Sequence, residues 1–367
     1  MNKTGLYIHV PFCAVKCPYC DFYSTGFSRK MTSDYSDAVI RNLKHYIEKN
    51  PELGFDTIYF GGGTPSLMPT EFFFRVMDTV SGRISVATPE ISIEVNPKTV
   101  DSDKLNDYIS CGINRLSIGV QSAWDNELEG LGRRHSFADA EKTFDMAQRA
   151  GFRNISADLM IGIRGQSEES LLMSCEKVSA LSPQHISAYM LIIEPGTEYY
   201  KNNISLFVPD EDETADMYLS LVKKLYELGF RQYEISNFSR EGFESRHNLK
   251  YWRCEEYIGI GPSAHSYFGK KRYEVPRDIS GFISSEYQTE TVNEENPGSF
   301  FETAMLRLRL TEGLPLSEYP EYRDMILKNS TEFIKAGLVR ICDDNLRLSP
   351  EGFLVSNYLI SDIISCS

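Results

Sequence analysis

The chain has 367 residues, of which 41% are hydrophobic, and a formal net charge of −14. This length accommodates one large domain or two smaller ones, and the apolar content is that of a globular protein with a buried core. The acidic balance argues against non-specific nucleic-acid binding, which requires a basic surface. No apolar run approaches the ~20 residues of a membrane span, and Met1 leads almost directly into a predicted strand. We therefore expect a cytoplasmic protein without a signal peptide or an integral membrane segment.

Short apolar runs alternate with amphipathic patterns along the first two thirds of the chain. Strands are predicted over 6–10, 56–60, 90–95, 115–120, 155–161 and 185–193. Helices are predicted over 34–50, 70–84, 101–110, 137–150, 168–181 and 211–228. Six strand–helix units at about thirty-residue spacing predict a parallel sheet with right-handed crossovers. Because a complete barrel of this kind needs eight units, we expect an α/β fold built on an open, partial (β/α)6 barrel.

The pattern changes after about residue 235. Residues 231–238 are compatible with an additional strand, and residues 247–269 are rich in Gly, aromatic residues and His. Residues 270–298 have the composition of a connector. We therefore expect the barrel to span residues 1–235, followed by an intervening segment over 236–298.

A small separate domain is predicted over 299–367. Helical patterns at 299–310 and 325–336 precede two short apolar runs, at 338–341 and 346–348, which indicate a hairpin. Helices followed by a short β-wing are typical of winged-helix domains. Many such domains bind DNA, but the acidic balance and the sparse Lys and Arg favour a lid or docking role here.

Three of the eight cysteines, Cys13, Cys17 and Cys20, lie within eight residues in the spacing C-x3-C-x2-C. Iron–sulfur clusters are held by Cys thiolates, four for a complete [4Fe–4S] cluster, so three thiolates leave one iron open for chemistry. Structural zinc would need a fourth ligand at matched spacing, and a disulfide framework is typical of small secreted chains. The sequence therefore predicts a [4Fe–4S] cluster on these residues. The other cysteines are scattered, as expected in a reducing compartment: Cys111, Cys175, Cys254, Cys342 and Cys366.

Polar residues recur at the carboxyl ends of the predicted strands, where barrel enzymes place their ligand groups. The second strand ends in Gly-Gly-Gly-Thr-Pro at 61–65, and glycines let backbone N–H groups approach a ligand closely. Glu94 and Asp158 interrupt apolar strands, where a charge is costly without a partner. Each group alone could be a satisfied core residue or a surface ion pair. Their recurrence at successive strand ends, with Gln121 and then Arg133, favours a single ligand site.

The cysteine motif, with an aromatic residue before its last Cys, resembles that of the radical SAM superfamily. The flanking sequences YIHVPFC and CPYCDF resemble its HemN/HemW-type branch over essentially the whole chain. The resemblance implies that S-adenosylmethionine (SAM) chelates the open iron through its amino and carboxylate groups. An electron passed through the cluster would then cleave SAM to a 5′-deoxyadenosyl radical.

The residue types suit this ligand. The ribose diol of SAM suits a carboxylate or an amide, and its α-carboxylate suits Arg. Arg133 rather than Arg134 matches the LGRxH pattern of the family. The SAM contacts that the resemblance implies are Tyr7, Tyr19, Gly62, Gly63, Thr64, Glu94, Gln121, Arg133 and Asp158.

Two departures bear on the branch of the family. Members with coproporphyrinogen III dehydrogenase activity carry a further Cys two residues after the third cluster Cys, where this chain has Phe22. They also carry a long extension over the active site, whereas six residues precede Tyr7 here. Residues 247–252, HNLKYW, instead resemble the HNxxYW motif of heme chaperones.

The HNLKYW segment suggests heme as a further ligand. The imidazole of His247 can serve as an axial ligand, while Tyr251 and Trp252 offer flat faces to a porphyrin. A polar loop that packs its aromatic rings on the barrel is the alternative. The resemblance thus implies a heme chaperone, with a heme acceptor protein and an electron donor as partners. Oxidation of coproporphyrinogen III without oxygen is the second hypothesis, and a non-catalytic winged-helix regulator is the third.

Overall fold

The computed structural model describes residues 1–294 and 297–365, so Cys366 and the end of the predicted winged-helix-like domain lie outside the described residues. The strands are β1 Thr4–Val10, β2 Phe12–Cys13, β3 Thr25–Gly26, β4 Phe55–Gly62, β5 Glu90–Val95, β6 Arg115–Gln121, β7 Ile155–Ile161, β8 His185–Met190, β9 Arg231–Glu234, β10 Asn237–Ser239, β11 Tyr257–Ile260, β12 His265–Phe268, β13 Lys271–Glu274, β14 Thr291–Glu294, β15 Leu314–Pro315, β16 Val339–Cys342 and β17 Asn345–Leu348.

The helices are α1 Arg29–Lys49, α2 Thr70–Val80, α3 Ser102–Ser110, α4 Asp125–Gly130, α5 Phe137–Ala150, α6 Glu168–Ala180, α7 Glu198–Lys201, α8 Glu211–Glu227, α9 Arg246–Trp252, α10 Ile279–Ser284, α11 Phe300–Arg307, α12 Arg323–Lys335, α13 Pro350–Leu354 and α14 Ser356–Ile363. Of the helices that the structure describes, none is long and apolar enough to cross a membrane.

Twelve strands form one sheet in the order β14-β13-β12-β11-β1-β4-β5-β6-β7-β8-β10-β9. From β1 through β4, β5, β6 and β7 to β8, each strand is parallel to its neighbour, and each connection carries at least one helix. These are the six strands predicted from the sequence, so the expected partial (β/α)6 barrel is confirmed. The seventh parallel strand, β11, pairs with β1 on its other side.

The alternation of side chains along each strand divides the sheet into an apolar and a polar face. In β6, Leu116, Ile118 and Val120 are fully buried in the main hydrophobic core. The intervening residues point to the other face, where Ser117 donates a hydrogen bond to Asp158 of β7. The apolar face thus holds the helices, and the polar inner face of the barrel is left for ligand groups.

The range predicted as a connector, 270–298, contributes β13, α10 and β14 to the structure, which differs from the prediction. The hairpin partner β12 precedes it, and β12, β13 and β14 pair antiparallel at one edge of the sheet. The four-residue strands KRYE and TVNE carry no apolar alternation long enough to stand out in the sequence. Their positions are set by pairing with neighbours and by buried anchors such as Tyr273 and Phe282.

Residues 299–365 form a second hydrophobic core around α11, α12, α14 and the three-stranded sheet β15-β17-β16. The β16–β17 hairpin turns at Asp343 and Asp344, both with positive φ, as a two-residue hairpin turn of type I′ requires. Two backbone hydrogen bonds join this part to β9 and the residue after it: Ile235 N to Arg309 O at 3.1 Å and Thr311 N to Tyr233 O at 3.0 Å.

Candidate functional site

The cysteine loop begins at the carboxyl end of β1. Cys13 lies in the short strand β2, which pairs with β3, and Thr25 N donates to Pro11 O at 2.6 Å, so the loop returns to its own start. Inside it, Cys20 N donates to Cys17 O at 3.1 Å, which closes a tight turn around the last two cysteines. All three cysteines are half-buried and form no disulfide.

The glycine run after β4 forms the wall behind this loop. Gly63 N donates to Val10 O and Thr64 N to Phe12 O, both at 2.8 Å. The Thr64 hydroxyl lies 3.7 Å from Cys13 Sγ. A Cβ on Gly63 would stand 2.8 Å from Phe12 O and 3.1 Å from Cys13 Sγ, so only glycine allows this approach.

The environment of the Cys20 thiol includes the other two cysteines of the loop. Burial raises the pKa of Cys20, and the nearby Cys17 and Cys13 raise it further, while Lys16 opposes them. Three thiolates gathered here need a cationic group to hold them. Among the described residues, no three His, Cys, Asp or Glu side chains surround a point for a single metal ion. A four-iron cluster differs because each thiolate binds a separate iron, and the loop fits that group.

Glu94 projects from β5 onto the polar face of the barrel. One carboxylate oxygen accepts a hydrogen bond from Tyr59 OH at 3.0 Å, and the other accepts from Gly62 N at 3.1 Å. Burial, and after it the charge of Asp158, raise its pKa to about 7 against the opposing effect of these two hydrogen bonds. The carboxylate is therefore poised to pair with a cationic ligand group, which would favour its ionised form.

Asp158 projects from β7 onto the same face. Its carboxylate accepts hydrogen bonds from Ser117 at 2.9 Å and from Ser156 at 3.4 Å. Burial raises its pKa, whereas hydrogen bonds from Ser117 and Ser187 and the charge of Arg115 oppose the rise. A carboxylate with this support can accept further hydrogen bonds from hydroxyl groups of a ligand.

Arg133 reaches the cysteine loop from the segment after α4. Its Nη2 donates to Tyr19 OH at 2.5 Å, and its buried Nε has no hydrogen-bond partner in the structure. Burial lowers its pKa, but the nearby Tyr19 and Cys17 raise it overall. Gly132, with φ of +70°, packs so closely on the loop that a Cβ would lie 2.8 Å from Pro18 Cδ. A buried guanidinium with a free N–H is suited to an anionic ligand group.

Gln121 ends β6 in a strained conformation. Its φ of 69° lies in the left-handed region, which is unusual for a residue other than Gly. The side chain folds back over Gly119, where a Cβ would stand 2.9 Å from Gln121 Nε2. Such strain is concentrated at functional sites, and it fits the predicted role of this amide.

Tyr7 lies on β1 between the rings of other inward residues. Its hydroxyl contacts Nδ1 of the buried His9 at 3.0 Å, while His9 Nε2 donates to Tyr23 O at 3.0 Å. Because a carbonyl only accepts, Nε2 must carry the proton, and Nδ1 accepts from Tyr7. Burial lowers the pKa of His9 to about 4, so the ring is neutral. Sequence analysis missed His9 and also Tyr59; both lie at inward positions, two residues after Tyr7 and two before Gly61.

The HNLKYW segment forms α9 at the opposite, amino-terminal end of the barrel. His247 is fully buried; Nδ1 bonds the Thr57 hydroxyl and Nε2 bonds the Tyr251 hydroxyl, both at 2.8 Å. Burial lowers its pKa to about 3. Its ring stacks on Tyr59 at 5.3 Å, and Trp252 is half-buried at the end of the helix. The structure therefore does not bring these residues to the cysteine loop.

The predicted cluster and SAM residues do lie together, around the carboxyl ends of the strands. The predicted heme residues lie beneath them: the ring of Tyr59 stands between His247 and Glu94, and the ring of Tyr7 also contacts His247, with 6.5 Å between centroids. The sequence motifs did not show that the SAM and heme residues lie at opposite ends of the barrel. A motif gives residue types, but not the end of the barrel at which those residues lie.

Comparison with known proteins gives two family matches along the chain. Residues 7–178 match the radical SAM superfamily, and residues 299–355 match the HemN C-terminal domain. The heme chaperone HemW of Escherichia coli K12 is 35% identical over 97% of both chains. The HemW heme chaperone of Bacillus subtilis is 38% identical over 96% of both. The chain belongs to the HemW family of radical SAM proteins. Membership of the radical SAM superfamily implies a [4Fe–4S] cluster and SAM.

The fold of this HemW-family chain is also that of a related enzyme. The structure of the radical SAM coproporphyrinogen III oxidase HemN from Escherichia coli superposes with a TM-score of 0.84. The match covers 98% of this chain and 90% of the oxidase, at 20% sequence identity. This similarity establishes the shared fold, including the C-terminal helical part. It does not establish a shared reaction, which must be argued from the site residues.

Proposed function

We propose that this protein is a heme chaperone of the HemW type that uses a radical SAM cofactor site. Cys13, Cys17 and Cys20 hold the [4Fe–4S] cluster in this proposal. When bound, the cluster and SAM supply one-electron chemistry. The chain binds heme and passes it to an acceptor protein, and an electron donor reduces the cluster. The scattered cysteines, free throughout the described part of the chain, are in keeping with the cytoplasm.

The proposed SAM site assigns each strand end a contact. The carboxylate of Glu94 and the backbone carbonyls of Gly62 and Gly63 accept hydrogen bonds from the amino group of SAM, with Thr64 beside them. Asp158 and Gln121 bind the ribose hydroxyls, and Arg133 binds the α-carboxylate. Tyr7 and Tyr19 form walls of the site. The buried, partner-free Nε of Arg133 supports the assignment of this residue to the α-carboxylate, because it is a donor in need of an acceptor.

The observation that carries the choice of chaperone over oxidase is the residue at position 22. Proteins with the oxidase activity have a cysteine there, whereas Phe22 presents an apolar ring that is 66% exposed beside the cysteine loop. No thiol is available at that point of the loop. The near full-length similarity to HemW heme chaperones supports the same choice.

We propose that His247, Tyr251 and Trp252 contact heme when α9 occupies a position different from the one described. In the conformation described, the imidazole of His247 has no free nitrogen, because Thr57 and Tyr251 occupy both. Iron ligation by this residue therefore requires α9 to leave the barrel. Coproporphyrinogen III oxidation remains the alternative function, favoured only by the shared fold.

The test uses the anaerobically reconstituted full-length protein. We expect heme titration to give a Soret band that saturates at about one heme per chain. In a parallel incubation with coproporphyrinogen III, SAM and a reductant, chromatography should detect no protoporphyrinogen IX. Stoichiometric product formation without heme binding would overturn the chaperone assignment. A Phe22→Cys variant serves as the control for the diagnostic position, and we expect its heme titration to match that of the unmodified chain.

A further inference from the structure

The helix α9 is fastened to the amino-terminal end of the barrel by buried polar contacts. The carboxylate of Glu90 accepts from the backbone N–H of His247 at 2.9 Å and from that of Arg246 at 3.1 Å. The ammonium of Lys250 pairs with Asp56 at 3.0 Å, and both Glu90 and Lys250 are buried. Because unpaired buried charges are costly, these contacts hold the helix in a defined position.

This position places His247 against the support of the SAM site. The imidazole bonds Thr57 near the start of β4 and stacks on Tyr59, two residues along the same strand, with 24° between the ring planes. The hydroxyl of Tyr59 donates to Glu94 at 3.0 Å. A continuous path of contacts thus runs from α9 to Glu94, through one ring.

The ring of Tyr59 is confined from the opposite side as well. A Cβ on Gly61 would lie 2.8 Å from Tyr59 Cε1 and 3.0 Å from Glu94 Oε1, so backbone already stands close to both side chains. His247 completes this enclosure from below. Without the imidazole the ring would have space to tilt, and Glu94 would keep only the bond from Gly62 N.

We propose that His247 is a positioning residue for the SAM site: it fixes the ring of Tyr59, whose hydroxyl orients the Glu94 carboxylate toward SAM. This inference rests on the proposed role of Glu94 in SAM binding. It gives the HNLKYW segment, in the conformation described, a role that is independent of heme. In this conformation the imidazole acts through packing and a hydrogen bond to Thr57, not through a metal.

The experiment measures SAM affinity by calorimetry on the cluster-reconstituted, full-length protein. A misplaced Glu94 carboxylate keeps a weakened hydrogen bond to SAM rather than losing it outright. We therefore expect His247→Ala and Tyr59→Phe each to weaken SAM binding about three- to tenfold. The double variant should be no weaker than Tyr59→Phe alone, because both changes act through one hydroxyl. Thr57→Val should also weaken SAM binding.

A second readout separates positioning from general loss of stability. Loss of the Tyr59 bond disfavours the charged form of the Glu94 carboxylate. This carboxylate is faced by titratable groups from five elements, β1, β4, β7, β8 and α9: Tyr7, Tyr59, Asp158, Tyr189 and Tyr251. The pH at which SAM binding is half-maximal should therefore move up in His247→Ala and Tyr59→Phe. Leu221→Ala, a fully buried change on α8, is the control: it should lower the melting temperature and leave the pH profile unchanged.

The outcomes are distinct. Normal SAM affinity in folded His247→Ala, or additive losses in the double variant, would overturn the inference. Loss of heme absorption in His247→Ala without any change in SAM affinity would restrict the residue to heme binding and would also overturn it. If His247→Ala does not fold, Thr57→Val and Tyr59→Phe carry the test. Unchanged affinity in Glu94→Ala would instead refute the proposed SAM site itself.

Discussion

At the scale of single residues, the protonation state of Glu94 depends on its burial in the barrel and on the charge of a bound ligand. Burial raises its pKa to about 7, with Asp158 adding to the effect, so the group changes charge near neutral pH. Because its pKa in the folded chain lies above the unfolded value, this group favours folding at low pH, and the contribution is lost as pH rises from about 4.5 to 7. A cationic ligand has the opposite effect on Glu94, because it stabilises the ionised carboxylate.

SAM affinity should therefore depend on pH. We expect binding to strengthen about tenfold between pH 6 and pH 8, as Glu94 passes from about one tenth ionised to about nine tenths. Glu94→Gln should bind more weakly and flatten the profile in calorimetry. The matched control is Glu234→Gln, which should leave the pH profile of SAM binding unchanged. Burial raises the pKa of Glu234 to about 7 as well, but this residue lies on β9 at the far edge of the sheet. A flat profile in the unmodified chain would contradict the prediction.

The cysteines provide a second residue-scale prediction. Replacing Cys13, Cys17 or Cys20 by Ser should abolish the brown chromophore and the iron after anaerobic reconstitution, because each thiolate holds a separate iron. The controls are Cys111→Ser and Cys175→Ser, whose buried thiols pack in the main core and should leave about four irons per chain. Iron and sulfide analysis checks the result. Full iron content in all three loop variants would refute the assignment.

At the scale of elements, the approach of the glycine run to the cysteine loop is a steric requirement. Gly63→Ala places a Cβ against Phe12 O and Cys13 Sγ, so one of the two segments must shift. We expect lower iron content and weaker SAM binding in this variant. Gly26→Ala on β3 is the control, because nothing lies within 4 Å of its Cβ position although the strand pairs with the same loop. Equal iron content and SAM affinity in the two variants would contradict a steric role for Gly63.

The element α9 shows where sequence reasoning reached its limit. HNLKYW indicated a ligand and aromatic faces, and those residue types are present. The direction of the imidazole depended on contacts with Thr57, Tyr59 and Glu90, which are 157–190 positions away along the chain. Short motifs carry no information about such tertiary partners. The alternative given for the segment, aromatic rings packed on the barrel, describes its observed position.

At the scale of the whole molecule, the fold was predictable where periodicity was strong. Six apolar strands at regular spacing specified the parallel sheet, because each must be buried on the helix-covered face. The strands from β12 to β14 were not predictable, since short polar strands owe their position to hydrogen-bonded neighbours. The proposed cluster and SAM residues could be named from the sequence because they belong to motifs or interrupt apolar strands with a charge, whereas naming His9 and Tyr59 required knowledge of which residues point inward.

The last prediction concerns the two hydrophobic cores. The barrel core and the core of residues 299–365 are separate clusters, although Leu354 packs against the first and Ile235 against the second. They are also joined by two backbone hydrogen bonds at β9, by the half-buried pair of Arg272 with Glu302 and by the exposed pair of Arg253 with Glu312. Such an exposed pair contributes only ~0.2–1 kcal/mol. Leu359→Ala, which opens a cavity in the second core, should cost about 2–5 kcal/mol there.

We expect Leu359→Ala to melt in two steps, because a local core can unfold below the global transition. The first step should appear in far-ultraviolet circular dichroism while the absorbance of the reconstituted cluster persists. Leu116→Ala, the matched change in the barrel core, should lower the temperature at which the cluster absorbance is lost. If Leu359→Ala shifted both signals equally in a single step, the two cores would be one cooperative unit, and the C-terminal part would contribute directly to the stability of the cofactor site.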